Sequence, residues 1–285
     1  AVKDMSVTVK DVSENERVGI TDENGIMTVP PLSEDITDSE GNLPCLRPMS
    51  QIAGRLSVQE GAKYLEKGFG GRGILLGGVP GVERGKIVIV GGGVAGTYAA
   101  KAAVGIDAQV TILDINANRL AYLEDIFGAS VTTLYSSEAN IRKALSEADL
   151  VIGSVLIPGA ATPKLVRREH LKLMKKGAVI VDIAIDQGGC CESSHVTTHD
   201  NPIYVEEGIV HYCVGNMPGA VPRTSTIALT NTTMRYGLMI ANLGLEKACE
   251  NVGVKSGVNC YLGKLTNKNV ADAHGYDCID LDSVI

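Results

Sequence analysis

Five features stand in order between residues 87 and 114. A short apolar run, Ile87–Val90, leads into Gly91-Gly92-Gly93-Val94-Ala95-Gly96. Small residues Val94–Val104 then read as a helix ended by Gly105, and Gln109–Leu113 reads as a second strand that ends at Asp114. Glycine clusters alone also mark ordinary turns. A G-x-G-x-x-G set between strand and helix, with an acid about 20 residues on, is far more restrictive. In this arrangement Gly91 permits the tight turn, Gly93 admits a pyrophosphate close to backbone, and Gly96 lets helix and strand pack closely. The helix N-terminus then faces the phosphates. A carboxylate at Asp114 accepts from ribose hydroxyls and repels a 2′-phosphate, so the spacing predicts NAD rather than NADP. The bland alternative is a domain of the same shape with an empty or altered site.

The alternation continues. Asn118 is placed to cap a helix carrying Leu120, Leu123 and Phe127. Strands are predicted at Val131–Tyr135, Leu150–Ile152, Ala178–Ile185 and Ile209–Val214, and helices at Ala139–Ala148 and Leu165–Met174. Such alternation implies right-handed crossovers and a parallel sheet covered on both faces. The predicted class is α/β, a Rossmann-type doubly wound parallel sheet. A helix over 48–67, with Ser50 as its cap, and a glycine-rich connector over 68–81 precede it; a long helical stretch, Thr226–Leu243, follows. The first 44 residues differ in kind. They carry the whole net charge of −7, while the remainder is neutral. Apolar alternations broken by Asn24-Gly25 and Pro30-Pro31 suggest short strands and loops there. The expected division is a nucleotide domain over 45–221, with a second, truncated lobe built from 1–44 and the C-terminal helices of 222–285.

Composition excludes several classes. A net charge of −7 and 4% aromatics, without Trp, argue against a nucleic-acid binder. No apolar run reaches the ~18 residues of a membrane span, and no apolar signal core follows the charged N-terminus. Seven cysteines, an odd number without CxxC, fit neither a disulfide framework nor a zinc ribbon. Cys190, Cys191 and His195 do not make a metal site by spacing, so no metal is expected. A reducing, cytoplasmic compartment is the expectation.

Open parallel sheets bind ligands beyond the carboxyl ends of their strands. Three loops there stand out, at 155–159, 186–189 and 216–219, and Asp186 is their only carboxylate. It follows an apolar strand, so its surroundings are expected to be dry and its pKa raised, which suits proton handling. A turn or cap acid is the equal alternative on residues alone.

With these motifs in place, the chain resembles the alanine dehydrogenases and, more distantly, the proton-translocating nicotinamide nucleotide transhydrogenases. The likeness runs from about Gly41 to Ile285. It rests on Leu43-Pro44 with Arg47-Pro48-Met49-Ser50, Gly78-Val79-Pro80-Gly81-Val82, the glycine motif, Ala148–Gly153, Val181–Gly189, and Asn216-Met217-Pro218 with Val221–Thr226. The resemblance implies reversible oxidative deamination of L-alanine to pyruvate and ammonia with NAD. It implies that Ser50, Val94, Ala95, Asp114, Arg119, Ser136, Val155, Leu156, Ile183, Asp186, Val214, Gly215, Asn216 and Met217 line the cofactor site. Asp186 would take part in acid–base catalysis, and a homo-oligomer is expected.

One stretch departs from the family. Glu14-Asn15-Glu16-Arg17-Val18 is similar to the opening motif of the family's substrate lobe with one residue inserted, which makes Arg17 the candidate for the substrate carboxylate. Most of that lobe then has no counterpart. The family's catalytic histidine and second substrate cation fall in it, and the first His of this chain is His170. Weak turnover is therefore expected, and a catalytically weak or inactive NAD-binding paralogue is the alternative. A transhydrogenase-like nucleotide module is a third reading.

Overall fold

A computed structural model of the protein describes residues 20–22, 25–27, 36–155 and 162–285. The chain divides into two compact units, Ser50–Val221 and Ala1–Met49 with Pro222–Ile285.

The first of these is built on a seven-stranded sheet. Its strands are β1 (Lys86–Val90), β2 (Gln109–Asp114), β3 (Val131–Tyr135), β4 (Leu150–Gly153), β5 (Val179–Asp182), β6 (Ile203–Glu206) and β7 (Ile209–Tyr212). Their spatial order is β3-β2-β1-β4-β5-β7-β6. All neighbours are parallel except β6 and β7, which form an antiparallel hairpin at the edge. The order reverses direction between β1 and β4, the place where sheets of this kind bind ligands beyond the carboxyl ends of their strands.

Alternate residues of the inner strands face opposite layers. Ile87, Ile89, Ile112, Ile152 and Val181 join one buried cluster, with Ala99, Ala100 and Ala103 of α2 (Val94–Gly105) and Leu123 of α3 (Ala117–Phe127). Val88, Val90, Leu113, Val151 and Ile180 join another, with Ile141 and Leu145 of α4 (Glu138–Glu147) and Leu171 of α5 (Arg168–Leu171). Burial on both faces is why these strands read as continuous apolar runs. The α/β, doubly wound expectation therefore stands.

Several local expectations change. Helix α1 spans Arg47–Tyr64, so Ser50 lies inside it rather than at its cap. Pro48 sits in its first turn, where a missing N–H leaves no hydrogen bond unmade. Asn116, rather than Asn118, caps α3; its side chain accepts the Arg119 N–H at 3.2 Å. The helix expected over 165–174 shrinks to α5. Strand β5 stops at Asp182 and gives way to a 3-10 turn, Ile183–Gln187, which Gly188 ends at φ +90°. Strand β6 was not anticipated. Its hairpin turns through Glu207 and Gly208, both at positive φ, as two-residue hairpin loops require.

The second unit holds a hairpin of Ile20–Asp22 with Gly25–Met27. It also holds α6 (Pro222–Leu243), α7 (Leu245–Ala248), α8 (Val252–Ser256), α9 (Lys268–His274) and a hairpin of Cys260–Tyr261 with Lys264–Leu265. Its core gathers Ile36, Cys45, Tyr236, Val254, Val258 and Leu281. Among the described residues no helix is long and apolar enough to cross a membrane.

Candidate functional site

The glycine turn closes β1 onto α2 with no room to spare on the protein side. Gly91 adopts φ +102°, which a residue with a Cβ rarely tolerates. A Cβ on Gly96 would lie 1.9 Å from the Gly91 carbonyl oxygen. That same oxygen accepts the Ser154 hydroxyl at 2.7 Å, tying the turn to the end of β4. Gly93 differs. It is exposed and extended, and a Cβ there would meet nothing within 4 Å among the described residues. The open space lies at the N-terminus of α2, where backbone N–H groups favour an anion.

Asp114 braces this turn. Its Oδ2 accepts the Gly92 N–H at 2.7 Å, and its Oδ1 accepts the Asn116 N–H at 2.8 Å. Each oxygen keeps a second lone pair for a hydroxyl donor. Arg119 reaches back to the same loop. Its Nε donates to the Gly92 carbonyl at 2.5 Å, and its Nη2 donates to Thr97 Oγ1 at 2.6 Å. The guanidinium therefore buttresses the loop through Nε and Nη2. Ser136 follows β3, its N–H donating to the Asp114 carbonyl at 3.0 Å. Its Oγ is buried and finds no hydrogen-bond partner among the described residues. Buried hydroxyls are ordinarily paired, so this one is available to a ligand group.

On the other side of the switch point, Val155 is half-buried at the end of β4; Leu156 lies outside the described residues, as does Arg17. Ile183 is half-buried, and Val214 and Met217 are buried. Asp186 sits on the 3-10 turn after β5. Its two oxygens accept one N–H, that of Asn216, at 3.1 and 3.3 Å. Gly215 allows this approach, since a Cβ there would come within 3.3 Å of Asp186 Oδ1. Burial around the carboxyl raises its pKa although the residue retains exposure, and the Asn216 N–H partly offsets the rise. Asn216 is left-handed at φ 50°, a conformation rarely adopted except by glycine and short polar residues.

Sequence reasoning missed four supporting residues. Thr97 Oγ1 donates to the Gly93 carbonyl at 2.7 Å. Ser154 clamps Gly91, and Lys164 donates to the Gly189 carbonyl at 2.9 Å and to that of Gly188. Asp182, almost fully buried, accepts Ser194 Oγ at 2.6 Å and the Cys191 N–H at 3.2 Å, binding the 188–194 loop to β5. All four act through space, and none forms a spaced motif.

Two clusters gather metal-type donors among the described residues. Asp182, Cys190 and Cys191 meet in the core. Hydrogen bonding with Cys190 and burial push the Cys191 thiol well up. Glu138, Glu169 and His170 form the other. His170 Nδ1 accepts the Arg167 N–H at 3.1 Å, so Nε2 carries the proton and donates to Glu138 at 2.9 Å. A ring so engaged has no lone pair left for an ion.

Comparison with known proteins gives the family and supports the fold. The family model described as "Alanine dehydrogenase/PNT, C-terminal domain" matches residues 57–268. The chain is 58% identical to an alanine dehydrogenase of Methanococcus maripaludis over 243 residues, which is 85% of this chain and 65% of that protein. It is 56% identical to the alanine dehydrogenase of Bacillus subtilis, covering 87% of this chain and 67% of the relative. It thus spans about two thirds of the length of these relatives. A solved L-alanine dehydrogenase superposes with a TM-score of 0.82 at 53% identity, over 85% of this chain and 67% of the other. A transhydrogenase from Sinorhizobium meliloti shares the fold, with a TM-score of 0.64 at 23% identity over 79% of this chain and 61% of the other. On these grounds the chain belongs to the alanine dehydrogenase/PNT family.

Proposed function

We propose that the protein is an NAD-dependent oxidoreductase of the alanine dehydrogenase type, catalysing the reversible oxidative deamination of L-alanine to pyruvate and ammonia. The observation that carries this reading is the glycine turn at the switch point. It has open space beside Gly93, an anion-favouring helix end, and Asp114 braced beside it. The names of the relatives favour turnover over the alternative of an inactive NAD-binding paralogue.

The residues present fit NAD. Gly91, Gly93, Val94, Ala95 and Gly96 would hold the pyrophosphate, and Asp114 the adenosine ribose. The unpartnered Ser136 hydroxyl suits the adenosine end. Val155, Leu156, Ile183, Val214, Gly215, Asn216 and Met217 would flank the nicotinamide. NAD supplies the hydride exchange; the protein orients the substrate and manages protons. Asp186 has the raised pKa that lets a carboxyl hold a proton nearer neutrality. Arg17 is the proposed partner of the substrate carboxylate. In this reading 45–221 is the nucleotide domain, and 1–44 with 222–285 belongs to the substrate lobe.

We also propose a cytoplasmic homo-oligomer. Only Tyr236 of the 22 residues of α6 is buried, and Ile227, Met234 and Leu238 are 55%, 51% and 52% exposed. Apolar side chains so exposed along one helix suit contact with a second copy.

The test pairs NADH binding, read by fluorescence, with alanine-dependent NADH formation, read by absorbance. Binding with turnover that Asp186→Asn lowers by at least ~10²-fold is the expected result. Binding without turnover would leave the inactive-paralogue reading, and no binding would sink both.

A further inference from the structure

The residue that holds Asp186 is itself held from the opposite side. Asn216 donates its N–H to Asp186, while its carbonyl accepts both the Gly219 N–H at 2.8 Å and His199 Nε2 at 3.2 Å. The N–H and the carbonyl belong to successive peptide units, so they are linked through the φ and ψ angles of residue 216. Those angles are 50° and 52°, left-handed for a residue with a side chain. Such a conformation persists when its surroundings over-determine it.

The surroundings here are specific. Thr197 and Val214 form a parallel bridge, with the Thr197 N–H on the Cys213 carbonyl at 2.8 Å and the Gly215 N–H on the Thr197 carbonyl at 3.1 Å. This zipper carries His199 alongside Asn216. Gly219 leaves the necessary gap, since a Cβ there would lie 3.2 Å from both His199 Nε2 and Asn216 Nδ2.

We propose that His199 is a positioning residue for Asp186: its bond to the Asn216 carbonyl, added to that of the Gly219 N–H, fixes residue 216 in its left-handed conformation and aims the Asn216 N–H at the carboxylate. Among the described residues, the groups facing Asp186 include the Asn216 N–H and Gly215, beside which lies the apolar Val196. His199 faces Asn216 and Gly219, with Asp200 next in sequence. Among the described residues, the ion pairs include none of Asp186, His199 and Asp200. The catalytic consequence rests on the proposed acid–base role of Asp186; the ionisation effect does not.

The experiment is an NMR titration of the Asp186 carboxyl carbon in the intact chain, without substrate. His199→Ala should move its midpoint upward by about 0.5 to 1 pH unit, the worth of one ordinary hydrogen bond. His199→Gln keeps an N–H donor and should titrate close to the unaltered protein. In an Asn216→Gly background, where left-handed backbone is free of strain, His199→Ala should add no further shift. The proposal is overturned if His199→Ala leaves the curve in place, if Gln behaves as Ala, or if the shift is as large in the Asn216→Gly background. Absence of alanine turnover would count against the proposed function and leave these curves as they are.

Discussion

Gly93 and Gly96 lie three residues apart in one motif, yet replacing them by alanine should have different consequences. At Gly96 the added methyl would stand 1.9 Å from the Gly91 carbonyl oxygen, some 1.5 Å or more inside contact distance. The obstacle is backbone, which has no rotamer to escape into. Overpacking of this kind costs roughly 1–3 kcal/mol. At ~2 kcal/mol, for a unit of this size, Tm should fall by about 4–8 °C. The turn would shift as well, so NADH affinity should fall with stability. At Gly93 the methyl enters open space at φ −63°, which alanine accepts. A poorer helix cap and a less flexible unfolded chain nearly offset each other there, leaving stability within ~0.5 kcal/mol. If the space receives a pyrophosphate, Gly93→Ala should weaken NADH by at least ~10-fold, or ~1.4 kcal/mol. Calorimetric melting and NADH titration of both variants read the two quantities separately. The reasoning is refuted if Gly93→Ala binds NADH as the unaltered protein does, or if Gly96→Ala melts at the unaltered temperature.

Three further outcomes are expected. Asp186→Asn should lower alanine turnover by at least ~10²-fold with little change in NADH affinity, and equal loss of both would make Asp186 a binding residue instead. Burial lowers the pKa of His211, whose ring bonds Ser193 Oγ at 2.8 Å and the Ile209 carbonyl at 3.0 Å. The unfolded chain then binds a proton below pH ~6.5 that the native chain does not, so stability should fall as pH drops through that region. Denaturant titrations of His211→Gln should show a flatter acid limb, and an unchanged slope would contradict this account. Light scattering at micromolar concentration should report more than one subunit, and a monomer would count against the α6 contact.

What was legible in the sequence follows the range of the forces involved. The glycine turn and the start of α4 are set by neighbours within a few residues, and their patterns could be read directly. The cap of α3 was read two residues late, because Asn116 and Asn118 are both capping types and only geometry chooses between them. Arg119 was expected as a cofactor residue, but no local pattern revealed that its guanidinium spans Gly92 and Thr97, more than twenty positions away. The length of β5 was overestimated because its apolar run continues through Ile183–Ile185. The chain turns there to bury Ala184 and Ile185, and Asp182 pulls the following loop across the sheet end. Strand β6 escaped notice for the opposite reason, since it is an edge strand only partly covered. The pairing of Asp186 with Asn216 joins residues 30 positions apart. Only the strand order, which places β5 beside β7, brings them together.

The central claim, that NAD occupies the glycine turn with its ribose on Asp114, is tested most directly by parallel calorimetric titrations with NADH and NADPH. The account predicts tighter binding of NADH, with Asp114→Ala weakening NADH and narrowing the difference between the two. Equal affinity of the unaltered protein for both cofactors, or discrimination that survives Asp114→Ala, would contradict it.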